Sequence, residues 1–130
     1  MPLSITSRLC SGVVIVEIDG KLSFLDVALR ECVDKLLEEG HRAFVVNMAN
    51  VPYVDSFGLG QLITIWTSIR NKGGQLILLQ PTDHVQDLFQ LTKLNTIFCI
   101  SGEEAHAIKS ARSNVFESIA HIVPTSSSMP

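Results

Sequence analysis

Apolar residues along this chain follow two rhythms. The near-continuous runs Val13 to Ile18, Ala43 to Met48 and Gln75 to Leu79 read as buried β-strands. Leu3 to Cys10 alternates weakly, and Ser11-Gly12 after it predicts a tight turn, so the first two strands should form an antiparallel hairpin. Between the runs the spacing turns helical. Leu25, Leu29, Cys32, Val33, Leu36 and Leu37 predict a first helix, with Ser23 and Asp26 as a capping box and Gly40 as its left-handed end. A second helix is expected from about Ser56 to Lys72, with Leu59, Leu62, Ile63, Trp66 and Ile69 facing inward. Pro81-Thr82 should open a shorter helix carrying Val85, Leu88 and Phe89. Thr96 to Ile100 is expected as the last strand. Ser101 and Glu104 form a second capping box ahead of Ala105, Ile108 and Ala111.

The order ββαβαβαβα implies one α/β domain with about four helices and a mostly parallel sheet, made mixed by the N-terminal hairpin. Residues 1–112 hold this domain. Residues 113–130 form a C-terminal extension whose apolar group, Val115, Phe116, Ile119 and Ile122, either prolongs the last helix or makes its own; the final polar residues are expected to be disordered. The group around Phe116 and Ile119 is also a candidate homodimer contact.

Composition narrows the function classes. Of 130 residues, 18% are charged, below the roughly 25% of typical soluble domains, which suggests apolar surface covered by a partner. A net charge of −3 without a Lys/Arg cluster points away from nucleic acid. No run approaches the roughly 20 apolar residues of a membrane span, so neither membrane insertion nor export is expected, and the protein should be cytoplasmic. Cys10, Cys32 and Cys99 are widely separated, without a C-x-x-C pair, and read as reduced core cysteines.

Candidate chemistry centres on Val54-Asp55-Ser56-Phe57-Gly58-Leu59-Gly60, between a buried strand and a helix. Loops at the carboxyl ends of parallel strands gather on one edge, where ligand sites concentrate. Ser56 at that edge can cap the helix, attack a substrate or accept a phosphate. Gly58 and Gly60 in the first helical turn suggest close approach of another molecule or of a strand. A nucleophile elbow needs glycine two residues before the serine, where Val54 stands, and the one histidine expected on this edge, His84, reads as a surface residue. A phospho-aspartate at Asp55 would need an acidic pair after the first strand and a cation near the last, and both are missing. Phosphorylation of Ser56 by a partner kinase suits a helix N-terminus, and the added charge would spoil a nearly neutral docking surface.

The segment "VPYVDSFGLGQL" resembles the D-S-x-G-L-G phosphorylation motif of STAS domain proteins, above all the bacterial anti-sigma-factor antagonists. "VEIDGKL", "VVNMANV", "NKGGQLILL" and "LNTIFCISGEEA" follow the family pattern in order, from about Leu3 to Ala111. The resemblance implies a non-enzymatic protein without a cofactor. Such a protein binds an anti-sigma factor that is also a serine kinase, and so releases a sigma factor. Phosphorylation of the motif serine ends the binding, and a metal-dependent phosphatase reverses it. Carried over, Ser56 is the phosphoacceptor, and Asp55, Gly58 and Leu59 lie in or beside the partner surface. Phe57 replaces a small residue of many relatives; it either anchors the partner or folds back onto the core. Ser23 stands where a subset has aspartate after Gly-x-Leu, which bears on partner choice. The alternative within the family is a module never phosphorylated, serving a stress-signalling scaffold or a membrane-transport complex.

Overall fold

The computed structural model describes residues 3–22 and 27–122, with side chains described as far as residue 113. Strands β1 (Ser4–Cys10), β2 (Val13–Asp19), β3 (Ala43–Asn50), β4 (Gln75–Leu79) and β5 (Cys99–Ser101) lie side by side in chain order. β1 runs antiparallel to β2, and every later pair is parallel. Ser11 (φ 54°) and Gly12 (φ 82°) make the two-residue hairpin turn, both left-handed as the primed turns demand.

Helices α1 (Ala28–Glu38), α2 (Ser56–Asn71) and α3 (Asp83–Leu91) cover one sheet face, and α4 (Glu104–Ile122) covers the other. Strand alternation divides the core accordingly. Val14, Val16, Ile18, Phe44, Val46, Met48, Leu76 and Leu78 pack under the first three helices. Val13, Ile15, Ala43, Val45, Ile77 and Leu79 pack against Ala107 and Ala111 of α4. The α/β class, the element order and the hairpin are as expected from the sequence.

Several local expectations are corrected. α1 begins at Ala28, behind Val27, which makes no side-chain cap bond; Ser23 and Asp26 of the expected capping box lie outside the described residues. Gly40 ends that helix as expected, at φ 101° with its N–H donating to the Leu37 carbonyl at 3.0 Å. The inward stripe of α2 holds Gly58, Leu59, Leu62, Ile65 and Ile69, while Ile63 is exposed and Trp66 half-buried. At about 100° per residue, Ile63 sits roughly 140° round from Gly58, which is the residue in contact with the fold.

The last strand is Cys99–Ser101 rather than Thr96–Ile100. A left-handed Lys93 (φ 65°) and a 3-10 turn, Leu94–Thr96, precede it, and the Phe98 ring packs edge-on to Phe89 at 5.2 Å. That contact draws Phe98 under α3 instead of into the ladder. The second capping box, Ser101 with Glu104, does not form. The Ser101 hydroxyl accepts from the Glu103 N–H at 3.3 Å, and the Glu104 carboxylate reaches Arg8 at 2.7 Å. α4 runs from Glu104 to Ile122, so the apolar group of the C-terminal extension prolongs the last helix, one of the two expected alternatives. The cysteines are free thiols but not core residues: Cys10 and Cys32 are half-buried and Cys99 is exposed. Burial pushes the Cys32 thiol pKa up, partly offset by a hydrogen bond with Ser7 and by Lys35.

Candidate functional site

The β3–α2 connection is fastened before the helix starts. Gly20 N–H donates to Asn50 O at 3.0 Å, Leu22 N–H to Tyr53 O at 3.1 Å and Asp55 N–H to Leu22 O at 3.3 Å. Leu22 also bridges Val54 as a parallel pair, and both side chains are buried with Val51. Apolar anchors therefore alternate with exposed Pro52 and Tyr53, which holds the connection on the sheet edge without burying its polar backbone.

Asp55, not Ser56, is the N-cap of α2. Its backbone is extended (φ −88°, ψ 179°), and its carboxylate accepts from the Gly58 N–H at 2.7 Å. The expectation that Ser56 serves as the cap is thereby overturned. A carboxylate at this position also faces the positive end of the helix dipole. Ser56 is the first helical residue and is exposed, and the bond that caps the helix is made by Asp55.

The motif residues divide between two sides. Phe57 is 58% exposed, so its ring is not buried in the core. Gly58 and Leu59 are buried beneath it and shape the surface from below. A Cβ at Gly58 would collide with the Leu22 backbone carbonyl, lying only 2.7 Å from its carbon. Internal packing thus accounts for Gly58. Gly60 differs: a Cβ there meets nothing within 4 Å, so its bareness faces outward. Ser23 lies outside the described residues.

Beyond the motif the outward face of α2 stays uncharged. No Asp, Glu, Lys or Arg occurs from Ser56 to Ile69. Ile63 is exposed, and the Thr64 and Thr67 hydroxyls donate to the Gly60 and Ile63 carbonyls, each at 2.9 Å. The result is a neutral strip running from Ser56 along the helix.

Sequence reasoning missed Tyr53. Its ring, 45% exposed, stacks on His84 at 5.7 Å between centroids and 28° between planes. The stack, with a long Thr82 hydroxyl contact to Val51 O at 3.5 Å, joins the β3–α2 and β4–α3 connections. His84 is therefore a packing partner of Tyr53, and among the described residues no hydrogen bond links it to Ser56. An aromatic residue beside the buried Val54 was the available signal.

A network of charged side chains lies elsewhere, around Arg8 of β1. Arg8 bonds Glu104 at 2.7 Å and Glu17 at 3.2 Å, and Asn47 donates to Glu17 at 3.1 Å. Hydrogen bonds donated to Glu104, then to Glu17, push the Arg8 pKa above its usual value. No helix among the described residues is long and apolar enough to cross a membrane.

The chain belongs to the STAS domain family, whose model matches residues 5–122. It is similar to a Thermotoga maritima protein to which an anti-sigma factor antagonist role is ascribed, with 30% identity over 79 residues, covering 61% of this chain and 70% of the relative. It is similar as well to the anti-sigma-B factor antagonist of Staphylococcus aureus, 29% identical over 87 residues, 66% of this chain and 81% of that one. The crystal structure of a Thermotoga maritima protein of the same ascribed role superposes with a TM-score of 0.76 at 26% identity, covering 83% of this chain and 94% of the other.

Proposed function

We propose that this chain is an anti-sigma-factor antagonist controlled at Ser56. Unphosphorylated, it binds an anti-sigma factor that is also a serine kinase, so that the sigma factor is released. The kinase transfers the γ-phosphoryl group of ATP to the Ser56 oxygen, the hydroxyl proton leaves to a base, and ADP departs. A metal-dependent serine phosphatase hydrolyses the phosphoserine and restores binding. The chain itself performs no catalysis, and the exchange takes place in the cytoplasm.

One observation carries this reading: an exposed Ser56, released from the capping role by Asp55, opens a helix whose outward face is neutral. A phosphate there adds a charge of about −1.5 to −2 beside the Asp55 carboxylate. In a docked complex that charge would be desolvated inside an interface with no charge of its own on α2 to offset it, so the partner leaves. The ascribed roles of the Thermotoga and Staphylococcus relatives support the same reading.

The test is intact-mass spectrometry after incubation with the partner kinase and ATP. One phosphate on wild-type protein and none on Ser56→Ala is the expected result. Ser56→Ala should bind constitutively and Ser56→Glu weakly, both folded. Phosphate on another residue, or binding indifferent to Ser56→Glu, would sink the switch and leave an unphosphorylated interaction module.

A further inference from the structure

Modification of Ser56 raises a question of charge. Asp55 caps the helix beside it, and α2 carries no basic residue before Arg70. Among the described residues, the other charged or titratable groups on the surrounding elements are Asp19 at the end of β2, Lys21 just after it, Tyr53 before the helix, and Asp83, His84 and Asp87 on α3; Asp26 lies outside the described residues. His84 is engaged with the Tyr53 ring.

Lys21 is placed differently from the rest. The residue after it, Leu22, touches the helix start repeatedly: it bridges Val54, exchanges backbone bonds with Tyr53 and Asp55, and lies against Gly58. Paired strands run about 4.8 Å apart, and successive side chains point to opposite sides. With Leu22 and Val54 both buried, alternation about their bridge turns Lys21 away from the core as it turns Tyr53 and Asp55, and Lys21, Tyr53 and Ser56 are all exposed. The flexible four-carbon stem of Lys21 is longer than the strand spacing. Lys21 is itself exposed and has no ion pair among the described residues, whereas Arg8 and Arg30 are paired.

We propose that Lys21 is the phosphate-pairing residue of the modified protein, its ammonium donating to the phosphoserine at position 56 and offsetting the repulsion from Asp55. The inference rests on the reading that Ser56 is the modified residue. Pairing retains the phosphate on the chain's own surface as a dianion at lower pH than an isolated phosphoserine.

Phosphoserine can be installed at position 56 during translation, without any kinase, and its second ionisation followed by 31P NMR. The phosphate pKa of the otherwise native protein should lie about 0.3–0.5 pH units below that of Lys21→Gln at low salt, and the gap should shrink in high salt. Lys109→Gln, an exposed lysine on the opposite sheet face, should change nothing. Coincident titrations of native and Lys21→Gln proteins, or a gap produced by His84→Gln in place of Lys21→Gln, would overturn the assignment. Failure of a kinase to modify Ser56 would instead refute the switch and leave this titration untouched.

Discussion

The starts of α2 and α4 flank the same sheet edge and are built in opposite ways. Glu104 in the first turn of α4 is tied through Arg8 to Glu17, and Glu17 to Asn47, so its charges are spent on the chain's own strands. The start of α2 is held by backbone bonds from Leu22, by the Asp55 cap and by buried Val54 and Leu59, and it keeps Ser56, Phe57 and Gly60 outward. One helix start is latched by charge and the other by backbone and apolar packing. Only the second leaves a neutral surface for another molecule to cover.

The sharpest break in this comparison is Gly58→Ala. A methyl group driven into the Leu22 backbone should cost about 3 kcal/mol of stability, read by urea unfolding. Gly60→Ala, with open space around it, should instead stabilise by up to about 1 kcal/mol. Equal effects at the two glycines would refute the division into an inner and an outer side.

Phe57→Ala should weaken partner binding by about 2 kcal/mol, roughly thirtyfold, while the unfolding midpoint barely moves. The measurement is calorimetric titration beside a thermal melt. A large drop in thermal stability would return the ring to the core. Asp55→Ala removes the cap from Gly58 and should cost about 1 kcal/mol of stability, with Asp55→Asn costing less because amide oxygens also cap.

Arg8→Ala should have the smallest effect, below about 1 kcal/mol, because the Arg8 side chain is 46% exposed and its ion pairs are screened. The loss should fade in high salt. The pH dependence has a definite sign. With its folded pKa raised, Arg8 adds stability below its unfolded pKa that is lost only at strongly alkaline pH, beyond the working range. A stability loss near pH 7 in wild type that Arg8→Ala abolishes would show that the latch works otherwise.

Much of this was legible in advance for identifiable reasons. Buried parallel strands are apolar on both faces, so Val13 to Ile18, Ala43 to Met48 and Gln75 to Leu79 announce themselves without a template. The Ser11-Gly12 turn and the Gly40 helix end are written in local backbone preferences. Capping was less legible. Asp55 and Ser56 are both good cap residues in adjacent positions, and the choice turns on where the Leu22 backbone meets the helix. For Ser101 and Glu104, the expected local pair lost Glu104 to Arg8, a partner distant in sequence.

By itself, then, the sequence determined the α/β order, the strand cores and a serine beside a carboxylate at a helix start, because these follow from periodicity and short-range geometry. The tertiary structure decided which residue caps, which glycine is packed and which is bare, and that Phe57 and Tyr53 stay exposed. Those outcomes depend on the Gly20–Leu22 segment crossing the start of α2, a contact between parts of the chain more than thirty residues apart, which no local pattern encodes.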